Sequence, residues 1–187
     1  MNKITTLVCI LSLPLSLFSQ GTWQEKNALY LSQQASEFPS DRTRPISFNI
    51  GNKIFYGAGF YEHTVSLPTY YNDFFAFDLT TNLWSKKNNL SFLTRAHAIS
   101  FSVWGKGYAC LGFNELSGGL INDCWEYDTI TDSWTQKASF TGTLTSFPVG
   151  FTSNEKLYVL TGMDSMSVLH KEIYEFDPIA NLWTQKK

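Results

Sequence analysis

The chain has 187 residues, 43% hydrophobic and 16% aromatic, with a formal net charge of −2. That apolar content supports a packed core and excludes a disordered chain. The aromatic share favours half-buried pleated surfaces, and the lack of a basic excess excludes nucleic acid as the expected partner.

In chain order, the first feature is an export signal. Lys3 gives a positive start, residues 4–18 are mostly apolar, and Ser19 offers a small residue for cleavage before Gln20. An apolar run of about 15 residues suits a signal peptide and is too short for a membrane span. Residues 1–19, with Cys9 among them, are therefore expected to be removed. The product is expected to be secreted or periplasmic, with no stable membrane insertion. Residues 20–41 follow as a lone strand around Trp23 and a connection.

From Arg42 the sequence repeats. RTRPISFNIGNKIFYGAGF from Arg42, RAHAISFSVWGKGYACLGF from Arg95 and TSFPVGFTSNEKLYVLTGM from Thr145 align without a gap. So do FFAFDLTTNLWSKK, CWEYDTITDSWTQK and IYEFDPIANLWTQK, in which Asp78, Asp128 and Asp177 each precede Trp84, Trp134 and Trp183 by six residues. Each unit divides into four short strands, a to d, broken by turn residues, which is an all-β pattern. Successive tryptophans are 50 and 49 residues apart, the spacing of propeller blades. The expected units are 42–87, 95–137 and 145–187.

These units resemble kelch repeats. They show an early Arg or His, an apolar–aromatic strand ending in glycine, a Tyr/Phe-Asp turn and a tryptophan six residues after the Asp. The resemblance implies a β-propeller fragment of about three four-stranded antiparallel blades plus one N-terminal strand. One departure stands out. Kelch strands usually end in Gly-Gly, whereas here the pairs are Ala58-Gly59, Leu111-Gly112 and Thr161-Gly162.

The repeated residues have structural expectations. Trp84, Trp134 and Trp183 should pack between blades, and Asp78, Asp128 and Asp177 should cap the c–d turns. Trp183, with no blade after it, should be half-covered, and Trp134 well covered. Three blades do not close a ring. A truncated product, a ring completed by other copies and a short open array all fit that count, and the open ends are expected to favour self-association. Cys110 and Cys124 fall on strands b and c of one unit, where a disulfide and two buried thiols both remain open.

No catalytic signature is present: no Gly-x-Ser-x-Gly elbow, phosphate loop, His-Glu-x-x-His or Cys-x-x-Cys, and no cofactor or metal site is expected. The b–c loops vary in length while the c–d turns do not, and variable loops on a rigid scaffold are where recognition lies. Glu62, His63, Glu115, Asp164 and His170 fall on those loops, and Arg42, Arg95 and His97 open strand a beside them. These are the expected binding-face residues, with a protein or carbohydrate ligand. The favoured function is an exported binding module. The alternative is a piece of a propeller enzyme resembling the sialic-acid mutarotases or galactose oxidase, although the copper ligands of the latter have no match here.

Overall fold

The computed structural model describes residues 39–92, 94–160 and 162–187; the expected signal peptide and the strand around Trp23 lie outside them. The described chain is all β apart from one turn of 3-10 helix (Glu115–Ser117). In chain order the strands are β1 (Ile46–Ile50), β2 (Lys53–Gly57), β3 (Phe60–Tyr61), β4 (Thr69–Tyr70), β5 (Phe74–Asp78) and β6 (Leu83–Lys87). Next come β7 (Ile99–Val103), β8 (Lys106–Cys110), β9 (Phe113–Asn114), β10 (Gly119–Leu120), β11 (Cys124–Asp128) and β12 (Ser133–Lys137). The last four are β13 (Val149–Ser153), β14 (Lys156–Leu160), β15 (Ile173–Asp177) and β16 (Leu182–Lys186).

Three four-stranded antiparallel sheets result: β1-β2-β5-β6, β7-β8-β11-β12 and β13-β14-β15-β16. These are blades 1 to 3 of a propeller-type arc. The small ribbons β3–β4 and β9–β10, which the sequence pattern does not announce, close the first two b–c loops. Strand a alternates as a half-buried strand should: Ile46 and Phe48 are buried, Ser47 and Asn49 exposed. Strand c of blade 1, Phe-Phe-Ala-Phe, is instead buried on both faces, as a strand between two packed layers must be.

The core lies between blades. Ile46, Phe48, Phe55 and Phe74 of blade 1 meet Ala109, Tyr127 and Trp134 of blade 2, with Leu90 and Phe92 from the connection. Ile99, Phe101, Tyr108, Cys110 and Cys124 of blade 2 then meet Leu157, Val159, Phe176 and Trp183 of blade 3. Close approach is built in: a Cβ added at Gly107 would lie 2.1 Å from the Phe48 ring. Cys110 and Cys124 stand opposite each other in the β8–β11 register, and a disulfide joins them inside the second interface.

One expectation is corrected. Trp134 and Trp183 face back towards the preceding blade, not forward. Trp134 lies 5.1 Å from the rings of both Phe74 and Phe92. Trp183 lies 5.1 Å from Phe140 of the preceding connection, donates its indole N–H to the Ala138 carbonyl at 2.9 Å and is only 5% exposed. The half-buried tryptophan is Trp84, whose ring partners, Tyr56 and Phe77, belong to its own blade. The open side of blade 3 is the strand-a face, where Val149 and Phe151 are 63% and 46% exposed; their equivalents Ile99 and Phe101 are buried.

The turns follow local chemistry. Asp78 Oδ1 accepts the Thr80 and Thr81 amides, and Asp177 Oδ1 those of Ile179 and Ala180. Lys106 and Lys156 add ion pairs to Asp128 and Asp177 across the sheet. These contacts hold the aspartate carboxyls below the usual range, with the lysine leading at Asp128 and Asp177 and the Thr81 amide at Asp78. The same turns latch the blades together: Asn181 accepts the Ala138 amide at 2.8 Å, and Asp132 accepts the Asn88 amide and side chain. Ala58 and Leu111 have φ of 52° and 62°, each followed by a left-handed glycine. The second residue of the kelch Gly-Gly pair is kept here; the first is a strained alanine or leucine, at a cost on the order of 1 kcal/mol.

Candidate functional site

The d–a connections and b–c loops emerge together at one end of the arc. Bridges Thr43–Phe60, Ala96–Phe113 and Ser146–Met163 tie each connection to the b–c loop of its own blade.

Arg42 and Arg95 do not present their charges to solvent at this end. The Arg42 guanidinium grips both carboxylate oxygens of Asp73, donates to the Ala58 carbonyl at 3.1 Å and lies 4.2 Å over Tyr71. Arg95 repeats this with Asp123, the Leu111 carbonyl at 3.0 Å and the Phe92 ring at 4.5 Å. Both side chains are fully buried. The forked guanidinium fits a carboxylate bidentately, so each arginine fixes the start of strand a to the residue ahead of strand c. The sequence placed them on the binding face because they open strand a beside the variable loops; only the tertiary structure supplies the acid.

Blade 3 has Thr145 and Glu172 at the equivalent places. Thr145 is buried and its hydroxyl accepts the Gly162 amide at 3.1 Å. Glu172 Oε2 lies 3.5 Å from Nδ1 of His170, whose Nε2 is 2.9 Å from Asp164. Asp164 in turn accepts the Met166 and Val168 amides, each at 2.9 Å. Asp164 first, then Glu172, raise the pKa of His170. These two predicted residues thus meet in one loop. Glu62 and His63 stay exposed on the first loop, where His63 Nε2 meets the Thr69 hydroxyl at 2.9 Å. Glu115 is exposed on the second loop, its amide 3.4 Å from the Tyr70 hydroxyl of the first.

The feature that sequence reading missed is a row along the inner rim. Arg44, His97 and Phe147 occupy the same repeat position, with φ of 55°, 55° and 57°. The His97 ring sits edge-on to Phe147 at 4.6 Å. Burial first, and the Arg44 charge second, lower the His97 pKa and favour the neutral ring. Left-handed backbone at non-glycine residues is sparse and clusters at functional sites. The gapless repeat that located His97 also locates its two neighbours, had their divergence been read as a signal. Beyond the rim the loops expose Val65, Leu67, Leu116, Met166 and Leu169. Among the described residues, no three His, Cys, Asp or Glu side chains are placed to hold a metal ion, and no helix is long and apolar enough to cross a membrane.

The geometry defines a propeller-type arc of four-stranded blades. Among solved structures it is similar to YjhT, with a TM-score of 0.68 and 16% sequence identity over 80% of this chain and 53% of that one. The chain therefore spans about half the length of YjhT. No protein-family model matches the chain, and no curated protein does.

Proposed function

We propose that the chain is an exported interaction module, without catalysis, that binds a protein partner through the rim and b–c loop face. The observation that carries this reading is the rim row: three equivalent strained positions hold Arg44, His97 and Phe147, three different chemistries. A scaffold role would call for like residues; recognition calls for unlike ones. The aliphatic tips Val65, Leu67, Leu116, Met166 and Leu169 suit the apolar centre of a protein interface better than a sugar.

The test is site-specific photo-crosslinking in the exporting cell. A probe at Leu169 is expected to capture one protein, with capture lost on Phe147→Ala, while a probe at Ile130 on the opposite end captures none. Equal capture from both ends would overturn the reading.

A second reading takes the chain as part of a larger catalytic propeller of the sialic-acid mutarotase kind. Its support is the half-length likeness to YjhT. In that case Arg44, rather than Arg42 and Arg95, supplies the charge at the mouth, with the neutral His97 ring beside it. Accelerated anomeric exchange of N-acetylneuraminate, followed by NMR, would favour it.

A further inference from the structure

At the opposite end of the arc, the a–b turns of the three blades share one geometry and not one chemistry. The turn residues are Gly51 and Asn52 in blade 1, Trp104 and Gly105 in blade 2, and Asn154 and Glu155 in blade 3. The first of each pair is left-handed, with φ of 58° at Gly51, 48° at Trp104 and 46° at Asn154. Tight hairpin turns of this kind require positive φ, which glycine and asparagine accept readily. A bulky aromatic there is an outlier. Burial does not compensate Trp104, which is 46% exposed and is the most exposed tryptophan among the described residues.

A residue that breaks a local rule with no packing gain points to function. Trp104 lines an open groove of about 240 Å³ between the a–b turns of blades 1 and 2, with Asn49, Ile50, Gly51, Ser102, Val103 and Gly105. None of these side chains carries a charge. The nearest cations in sequence, Lys53 and Lys106, lean on Asp78 and Asp128. The groove surface is mainly polar, an amide, a hydroxyl and turn backbone groups, with the exposed Trp104 indole at its edge and no counter-ion for a phosphate, sulfate or ammonium group.

The geometry points to a glycan-binding site in which Trp104 stacks on the apolar face of a neutral pyranose ring, with Asn49 and Ser102 meeting its hydroxyls. The groove's size fits one or two sugar rings, and its openness suits a unit within a longer chain. A flat ring with one apolar face and a polar edge is the complement of an indole beside polar groups. This site is separate from the rim and stands or falls without it.

Saturation-transfer NMR on the full chain, with cellotetraose, chitotetraose and maltotetraose as probes, tests the site. At least one probe is expected to show transfer to its ring protons and to shift the Trp104 indole N–H, with both signals lost in Trp104→Asn. Asparagine suits the left-handed turn, so the same variant is expected to melt a few degrees higher, which separates lost binding from lost folding. No shift of the Trp104 indole with any probe would overturn the site, as would undiminished binding by Trp104→Asn. A sulfated oligosaccharide bound in preference to all three would overturn the neutral class.

Discussion

Blades 2 and 3 share one sequence pattern and differ in what each must do. Blade 2 is covered on both faces, its loop end is tied by the Arg95–Asp123 pair with the arginine side chain buried, and its disulfide lies inside the interface it shares with blade 3. Blade 3 is covered on one face, and a titratable histidine stands between two acids where the arginine pair would be. The repeat specifies the blade; the neighbour decides whether a given side chain is core or surface.

The largest expected effect compares equivalent phenylalanines. Phe101→Ala should cost about 3–5 kcal/mol, as a buried aromatic truncation does, whereas Phe151→Ala should cost under about 1 kcal/mol. Denaturant melts of the two variants measure this, and equal losses would show that something covers the outer face of blade 3. Among the tryptophans the expected order of loss is Trp134 and Trp183 together, then Trp84.

Next in size is the clamp. Asp123→Ala leaves the buried Arg95 charge without its acid and should cost about 3–5 kcal/mol. Replacing Arg95 and Asp123 together by Met and Leu should recover most of that. Failure of the double variant to recover would show that the Leu111 carbonyl, not the acid, is the main partner.

A smaller effect concerns pH. His170 has a raised pKa in the folded state, so its bridge is fully present below the ordinary histidine value of about 6.5 and is lost as pH rises through the raised folded value. The neutral ring carries one N–H and can serve only one of Asp164 and Glu172. Protection of the Met166 and Val168 amides should therefore fall as pH rises through the raised folded His170 value in the wild type and be insensitive to pH in His170→Gln. The Arg95 loop should show no such dependence, because no histidine stands in its clamp.

The smallest effect is Ala58→Gly, which relieves a left-handed alanine and should be neutral to mildly stabilising, by up to about 1 kcal/mol. A clear loss in thermal melts would mean that the buried Ala58 methyl contributes more than the strain costs.

By itself the sequence determined the blades. The gapless recurrence of Phe48, Phe101 and Phe151, and of the Asp–Trp spacing, follows from strand alternation and turn chemistry, both local and readable. It also located the c–d capping aspartates, whose partners are two or three residues away. The tertiary structure decided what depends on residues distant in the chain. Arg42 finds Asp73 31 residues on, so an arginine that reads as a surface charge becomes a buried clamp. Trp134 and Trp183 turn back rather than forward because the preceding connection supplies Leu90, Phe92 and Phe140 to meet them. Nothing in the sequence marks out Trp104, since neither its left-handed φ nor its exposure is written in a residue's type.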